Sequence, residues 1–241
     1  MKKEKKNFLK HPIIILAGVV MNLFIVWPGV YADSDTTPIT VDEKGFDSLG
    51  RMVANFGSPV VDGIVDAEWS NAWIVTPQYV SSNVETKATF RALWDTNALY
   101  ILAEVKDKNM SVQSVNPYMQ DSLEIFLDEY NDKTQDYSID DLHFRVNYEN
   151  TQSVDVGNKE RFYTATQKMA DGYIIEARIA FKYEPENNKV LGIELQINDA
   201  IGANRAGTIN VFDSTGSAWN DTSKFGAVLL TGKIGCAKSG L

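Results

Sequence analysis

The chain contains one cysteine, Cys236, which excludes an internal disulfide. Stability therefore has to come from a packed core rather than from cross-links. Histidine is almost as scarce: of the two present, only His143 lies beyond the first eleven residues. There is no G-x-S-x-G string and no cysteine partnered by histidine, so the common equipment of nucleophilic catalysis is missing. Basic charge is also short, with 23 Lys+Arg against 32 Asp+Glu and a formal net charge of −9. Five of the lysines crowd into the first ten residues, so the rest of the chain is more acidic than that total. Such a surface repels phosphate backbones and argues against a nucleic-acid partner. After residue 27 no apolar run approaches the ~18 residues that a membrane-crossing helix needs. What remains, 44% hydrophobic with 16 Gly and 7 Pro, is the composition of a folded globular protein.

The first 32 residues read as an address. A basic stretch, Lys2 to His11, precedes the apolar run Ile13–Trp27, and the segment ends on the small-residue site Val30-Tyr31-Ala32. This is the pattern of a secretory signal peptide. The expected mature protein starts at Asp33, is secreted, and has no membrane attachment after cleavage. Residues 33–51 are expected to be an N-terminal tether, 52–230 a single domain, and 231–241 a C-terminal tail.

Within 52–230 the chain alternates short apolar runs with breakers. Residues 88–94 and 99–105 alternate around Asp95-Thr96-Asn97, which signals a β-hairpin. Further strands are expected at 122–128, 143–148, 161–168, 173–180, 190–198, 208–212 and 227–230. No long stretch has a helical period. The expected fold class is all-β, an antiparallel β-sandwich of the jelly-roll type.

Strand periodicity then sorts side chains by face. Leu123, Ile125 and Leu127 point one way, leaving Glu124 on the other face with Phe126. Phe144, Val146 and Tyr148 leave His143, Arg145 and Asn147; Leu191, Ile193, Leu195 and Ile197 leave Glu194, Gln196 and Asn198. Glu124, Arg145 and Gln196 therefore share a polar face. Their planar groups each engage two neighbouring hydroxyls, so the face suits a hydroxyl-rich ligand as well as plain solvent. Two aromatics sit in polar loops: Tyr118 in Asn116-Pro117-Tyr118, and Trp219 in Ser214–Asp221. Bare rings in such loops call for a covering group, and the C–H face of a pyranose is one. Trp69, Trp73 and Trp94 lie in or beside apolar runs and are expected in the core.

Several strings carry a resemblance: VDGIVDAEW at 61–69, LWD at 93–95, LYILAEVKD at 99–107, NPYMQDSLEIFLD at 116–128, FRVNY at 144–148, QINDA at 196–200 and SKFG at 223–226. Together they resemble family 9 carbohydrate-binding modules, the domains appended to xylanases, over about residues 52–230. The resemblance implies a β-sandwich with bound calcium. It also implies a non-catalytic site that grips the reducing ends of glucan and xylan chains between two aromatic rings. Residue by residue, Tyr118 and Trp219 match the two rings, and Glu124, Arg145 and Gln196 match the polar ligands. This chain departs from the pattern with Tyr118 in place of a Trp, and with Gly216 in place of an Asn. For calcium, the resemblance points to Asp66, Asp107 and Asp213. The partners it implies are plant cell-wall polysaccharide or oligosaccharide ends, bound by a monomer.

Three rival functions follow from the residues. A glycoside hydrolase needs a carboxyl pair, but Glu124 beside Arg145 is expected to stay ionised and to serve as an acceptor rather than an acid. A haem-binding sandwich would use His143, with Met119 as the available second ligand. A purely structural adhesion domain would show no saturable sugar binding.

Overall fold

The computed structural model describes residues 39–81 and 83–233. The expected signal peptide, the first part of the tether, the last residues of the tail and Cys236 lie outside them. Among the described residues there are twelve strands: β1 Met52–Phe56, β2 Tyr79–Val80, β3 Lys87–Trp94, β4 Ala98–Lys106, β5 Ser122–Asp128, β6 Asp141–Asn147, β7 Gln152–Val156, β8 Phe162–Met169, β9 Gly172–Ala180, β10 Val190–Ile201, β11 Asn204–Asn210 and β12 Gly226–Thr231. Among the described residues helical structure is confined to single 3₁₀ turns of three to five residues.

Hydrogen bonding links the strands in the order β7-β6-β5-β10-β12-β1-β3-β4-β9-β8, with β11 on β10 and β2 on β11. The path folds over on itself. Phe144 of β6 stacks on Phe162 of β8 with centroids 4.7 Å apart and planes 10° off parallel. The core lies between the two halves. Leu123, Ile125 and Leu127 of β5 and Ile193, Leu195 and Ile197 of β10 join Phe90, Leu99, Ile101 and Ile175 in one cluster. Each such side chain, fully buried, contributes about 1.5–3 kcal/mol relative to exposure. The alternation read from the sequence is thus the alternation the sandwich uses.

The architecture is the expected sandwich, with four departures. β1 runs parallel to both its neighbours, β12 and β3, so the sheet is mixed rather than purely antiparallel. β1, β2 and β7 were not among the expected strands; β2 has two residues, and β7 is a half-exposed edge whose sequence QSVDV offers only Val154 and Val156 as an apolar alternation. The second part of the expected tether is folded into the body. Asp47 accepts from the Leu49 and Arg51 amides and pairs with the Arg51 guanidinium, and Phe46 is buried against Phe212. Finally, Trp69 and Trp94 are fully buried as expected, but Trp73 is 42% exposed. Trp69 is held by an indole N–H donated to Glu176 at 2.7 Å, under a small second cluster on the outer face of β3, β4 and β9. Trp73 follows the 3₁₀ turn that carries Trp69, and its place on the surface shows that an apolar neighbourhood in sequence does not guarantee a buried one in space.

Candidate functional site

The outer face of β5, β6, β10 and β11 carries the polar side chains that period two placed there. Register pairs Glu124 with Arg145 on one side and with Gln196 on the other, and Gln196 with Asn210 beyond it. Arg145, Glu124, Gln196 and Asn210 therefore form one row across four strands.

The row is a continuous hydrogen-bonded network. The Glu124 carboxylate accepts from Arg145 Nη2 at 2.9 Å and from Asn198 Nδ2 at 2.6 Å, and its Oε2 lies 2.5 Å from His143 Nε2. Arg145 continues to Asp155 at 2.8 Å and to Ser153 at 2.9 Å. Gln196 donates to Asn198 and accepts from Asn210, each at 2.9 Å. Glu124, Arg145 and Gln196 are 2%, 5% and 6% exposed. Burial alone would raise the Glu124 pKa, but the hydrogen bonds and charge of His143 and Arg145 win and hold it at about 2. Burial pulls the Arg145 pKa down while Glu124 and Asp155 raise it, with a net rise. Glu124 is thus a fixed anion and an acceptor, and it holds no proton to give as a general acid at neutral pH. Both nitrogens of His143 face carboxylates, Glu124 at 2.5 Å and Asp155 at 3.4 Å, and its ring is sandwiched near Phe126 and Tyr137. Neither nitrogen is presented to a haem iron.

Both loop aromatics are at the surface. Tyr118 sits on the 3₁₀ turn Pro117–Met119 and is 46% exposed. The Arg205 guanidinium lies 5.7 Å from its ring centroid and also donates to Asn198. Trp219 is 63% exposed on a loop built to hold it out. Buried Glu194 accepts the Val211, Phe212 and Asp213 amides as the chain leaves β11. Asp213 then accepts from the Thr215 and Ala218 amides, and Tyr137 donates its hydroxyl to the Ala218 carbonyl at 2.6 Å. Gly216 turns this loop at φ +69°, a conformation that a Cβ disfavours. Arg205, Asn198 and Asn210 join this network without having been expected in it. Asn198 and Asn210 have the same period-two signal as Gln196, whereas Arg205 owes its place to the β-bulge between Asp199 and Ala200.

The acidic residues group differently from the expectation. Asp107 meets Asp121 and Asp199, with carboxylate oxygens within 4.8 Å of one another. Asp66 instead caps the 3₁₀ turn at Ala67–Asn71 and accepts the Val60 amide, and both oxygens of Asp213 serve the Trp219 loop. Burial, then the charges of Asp107 and Asp199, raise the Asp121 pKa to about 8. Asp107 Oδ2 and the Tyr173 hydroxyl are both buried without a hydrogen-bond partner. Three crowded carboxylates with an orphaned oxygen fit a hard divalent cation such as calcium. A second group, Asp128, Asp132 and Asp140, lies at the exit of β5.

The family described as "Carbohydrate family 9 binding domain-like" matches residues 61–233. The chain belongs to the family 9 carbohydrate-binding modules. A solved family 9 module from Caldicellulosiruptor kristjanssonii, in complex with glucose, superposes with a TM-score of 0.76 at 46% identity, covering 78% of this chain and 99% of that one. The same module in complex with cellotriose gives the same score and identity, covering 79% and 98%. Among curated relatives, endo-1,4-beta-xylanase A of Thermoanaerobacterium saccharolyticum is 42% identical over 193 residues, and that of Thermotoga neapolitana 44% over 212. These alignments cover 78% and 83% of this chain but only 17% and 20% of the enzymes. The chain is a non-catalytic carbohydrate-binding module, matched to those xylanases over a fraction of their length.

Proposed function

We propose that this module grips the reducing end of β-1,4-glucan or xylan chains between Tyr118 and Trp219, with Glu124, Arg145 and Gln196 reading the terminal sugar's hydroxyls. The observation that carries the reading is the single row Arg145–Glu124–Gln196–Asn210, flanked by two exposed rings on anchored turns. The rings supply stacking area for the C–H faces of the sugar. The row supplies a pre-bonded array of acceptors and donors that does not reorganise on binding. Tyr118 offers a smaller face than the Trp of the family pattern, which weakens stacking by about 1 kcal/mol.

A calcium ion held by Asp107, Asp121 and Asp199 would offset their mutual repulsion and tie the end of β4 to β5 and β10. The module works outside the cell on plant cell-wall polysaccharide, as a monomer, and raises the local concentration of an enzyme joined to it or acting beside it. Reducing-end recognition is tested by calorimetric titration with cellobiose and xylobiose, each beside its reduced alditol. The proposal expects the sugars to bind and the alditols to bind at least about tenfold more weakly. Equal binding of sugar and alditol contradicts it.

A further inference from the structure

Among the other exposed tyrosines, two stand close together and belong to neither the row nor its flanking loops. Tyr130 is 53% exposed just after β5, and Tyr183 is 66% exposed in the connection from β9 to β10. Register places them away from Tyr118. In the antiparallel pair β5–β10, Asp128 faces Gly192 at one end and Ser122 faces Asn198 at the other. Tyr130 follows Asp128, whereas Tyr118 precedes Ser122. The seven residues of β5 separate the two ends by roughly 20 Å.

The two tyrosine segments are tied together. Glu129 Oε1 accepts the backbone N–H of Lys182 at 3.1 Å and the Arg161 guanidinium at 2.7 Å. The residues next to Tyr130 and Tyr183 are thus joined by a direct bond. The Tyr130 amide is further fixed by Asp128 at 3.0 Å and Asp140 at 3.1 Å. Lys182 Nζ lies 5.6 Å from the Tyr183 centroid and braces that ring. Between the segments is a cleft of about 570 Å³ whose lining includes both tyrosines, Glu129, Lys182 and Asn187. That volume falls in the range of about 300–1,000 Å³ typical of small-ligand sites. At its margin Glu129 Oε2 is buried with no hydrogen-bond partner.

We propose that this cleft is a second saccharide-binding subsite, taking a neutral oligosaccharide against Tyr130 and Tyr183. Two rings on segments bonded to each other give a stacking surface that needs little ordering on binding. Carboxylate and amide groups beside them suit vicinal hydroxyls. The carboxylates of Glu129, Asp140, Glu184 and Glu186 outnumber the cations of Lys182 and Lys189 around the cleft, which disfavours anionic sugars. With Tyr118 at the other end of β5, the module would engage one polysaccharide surface at two points and gain avidity. The inference rests on the carbohydrate-binding assignment and not on the reducing-end reading.

The test is a residue-resolved NMR titration of the full chain with cellotriose and xylotriose, on wild type, Trp219→Ala, and Trp219→Ala combined with Tyr183→Ala. Saturable shifts at residues 129–130 and 182–188 that persist in Trp219→Ala support the subsite. Their weakening by about tenfold or more in the double variant, with an unchanged fold, completes the case. Absence of saturable shifts there in wild type and in Trp219→Ala overturns it, as does full retention in the double variant. Failure of the first site is read separately, from unmoved Tyr118 and Trp219 signals in wild type.

Discussion

The most informative perturbation is Glu124→Gln. The carboxylate is 2% exposed and receives His143, Arg145 and Asn198 at once. The amide keeps the shape but removes the charge and puts an NH2 donor where one acceptor oxygen had met donors. Removing one partner of a buried ion pair costs about 3–5 kcal/mol. Arg145 retains Asp155, whose side chain is 48% exposed, so the cost falls near the lower end, about 3 kcal/mol. For a domain of this size each kcal/mol moves Tm by about 2–4 °C, so the loss at pH 7 is roughly 6–12 °C. The pH dependence supplies an independent check. Glu124 has a folded pKa of about 2 against the ordinary value of 4.5. A depressed carboxylate contributes stability that is fully present above its unfolded pKa and is lost as pH falls toward its folded one. The difference is about 3 kcal/mol. The assay is Tm against pH for both proteins, so that other titrating groups cancel in the comparison. The gap between wild type and variant should be widest above pH 5 and should narrow between pH 5 and 2. A gap that stays constant from pH 7 to pH 3 refutes the electrostatic account of the row.

Three further outcomes follow. Tyr118→Trp should tighten cellobiose binding by about 1 kcal/mol, close to fivefold, with Tm unchanged because the ring is exposed; calorimetry on the pair of proteins checks it. Excess EDTA should lower Tm by several degrees, since an ion at 100 times its Kd adds about 2.7 kcal/mol, and Asp121→Asn should abolish that shift; an unmoved Tm in the wild-type protein counts against calcium at this cluster. Gly226→Ala should destabilise by about 1–3 kcal/mol, because an added Cβ overlaps the Phe212 ring; a thermal melt within 1 °C of wild type contradicts that packing.

Much of the sandwich was legible because burial on one face enforces alternation. β5 and β10 declare their faces through Leu123-Ile125-Leu127 and Ile193-Leu195-Ile197, and the polar row follows by subtraction. β7 was not legible, since Val154 and Val156 alone make too short an alternation on a half-exposed edge, and β2 has too few residues to alternate. The parallel pairing of β1 lies in long-range topology, which no local pattern encodes. Exposed Tyr118 and Trp219 could be inferred from polar loop context, whereas exposed Trp73 could not, because its neighbours are apolar. The acidic cluster was hidden for a similar reason. Asp107, Asp121 and Asp199 come from three separate strand ends with no contiguous motif, while Asp66 and Asp213, the other two expected ligands, accept hydrogen bonds within local turns. Arg205 depends on a one-residue bulge, and a register shift leaves no mark on composition or period.

The central claim is that a sugar ring lies between Tyr118 and Trp219 with its hydroxyls on the Arg145–Glu124–Gln196 row. A crystal structure with bound cellobiose tests it most directly. The account predicts one pyranose stacked between the two rings, with hydroxyl oxygens at hydrogen-bond distance from Glu124, Arg145 and Gln196. Cellobiose bound elsewhere, with both rings uncontacted, would contradict it.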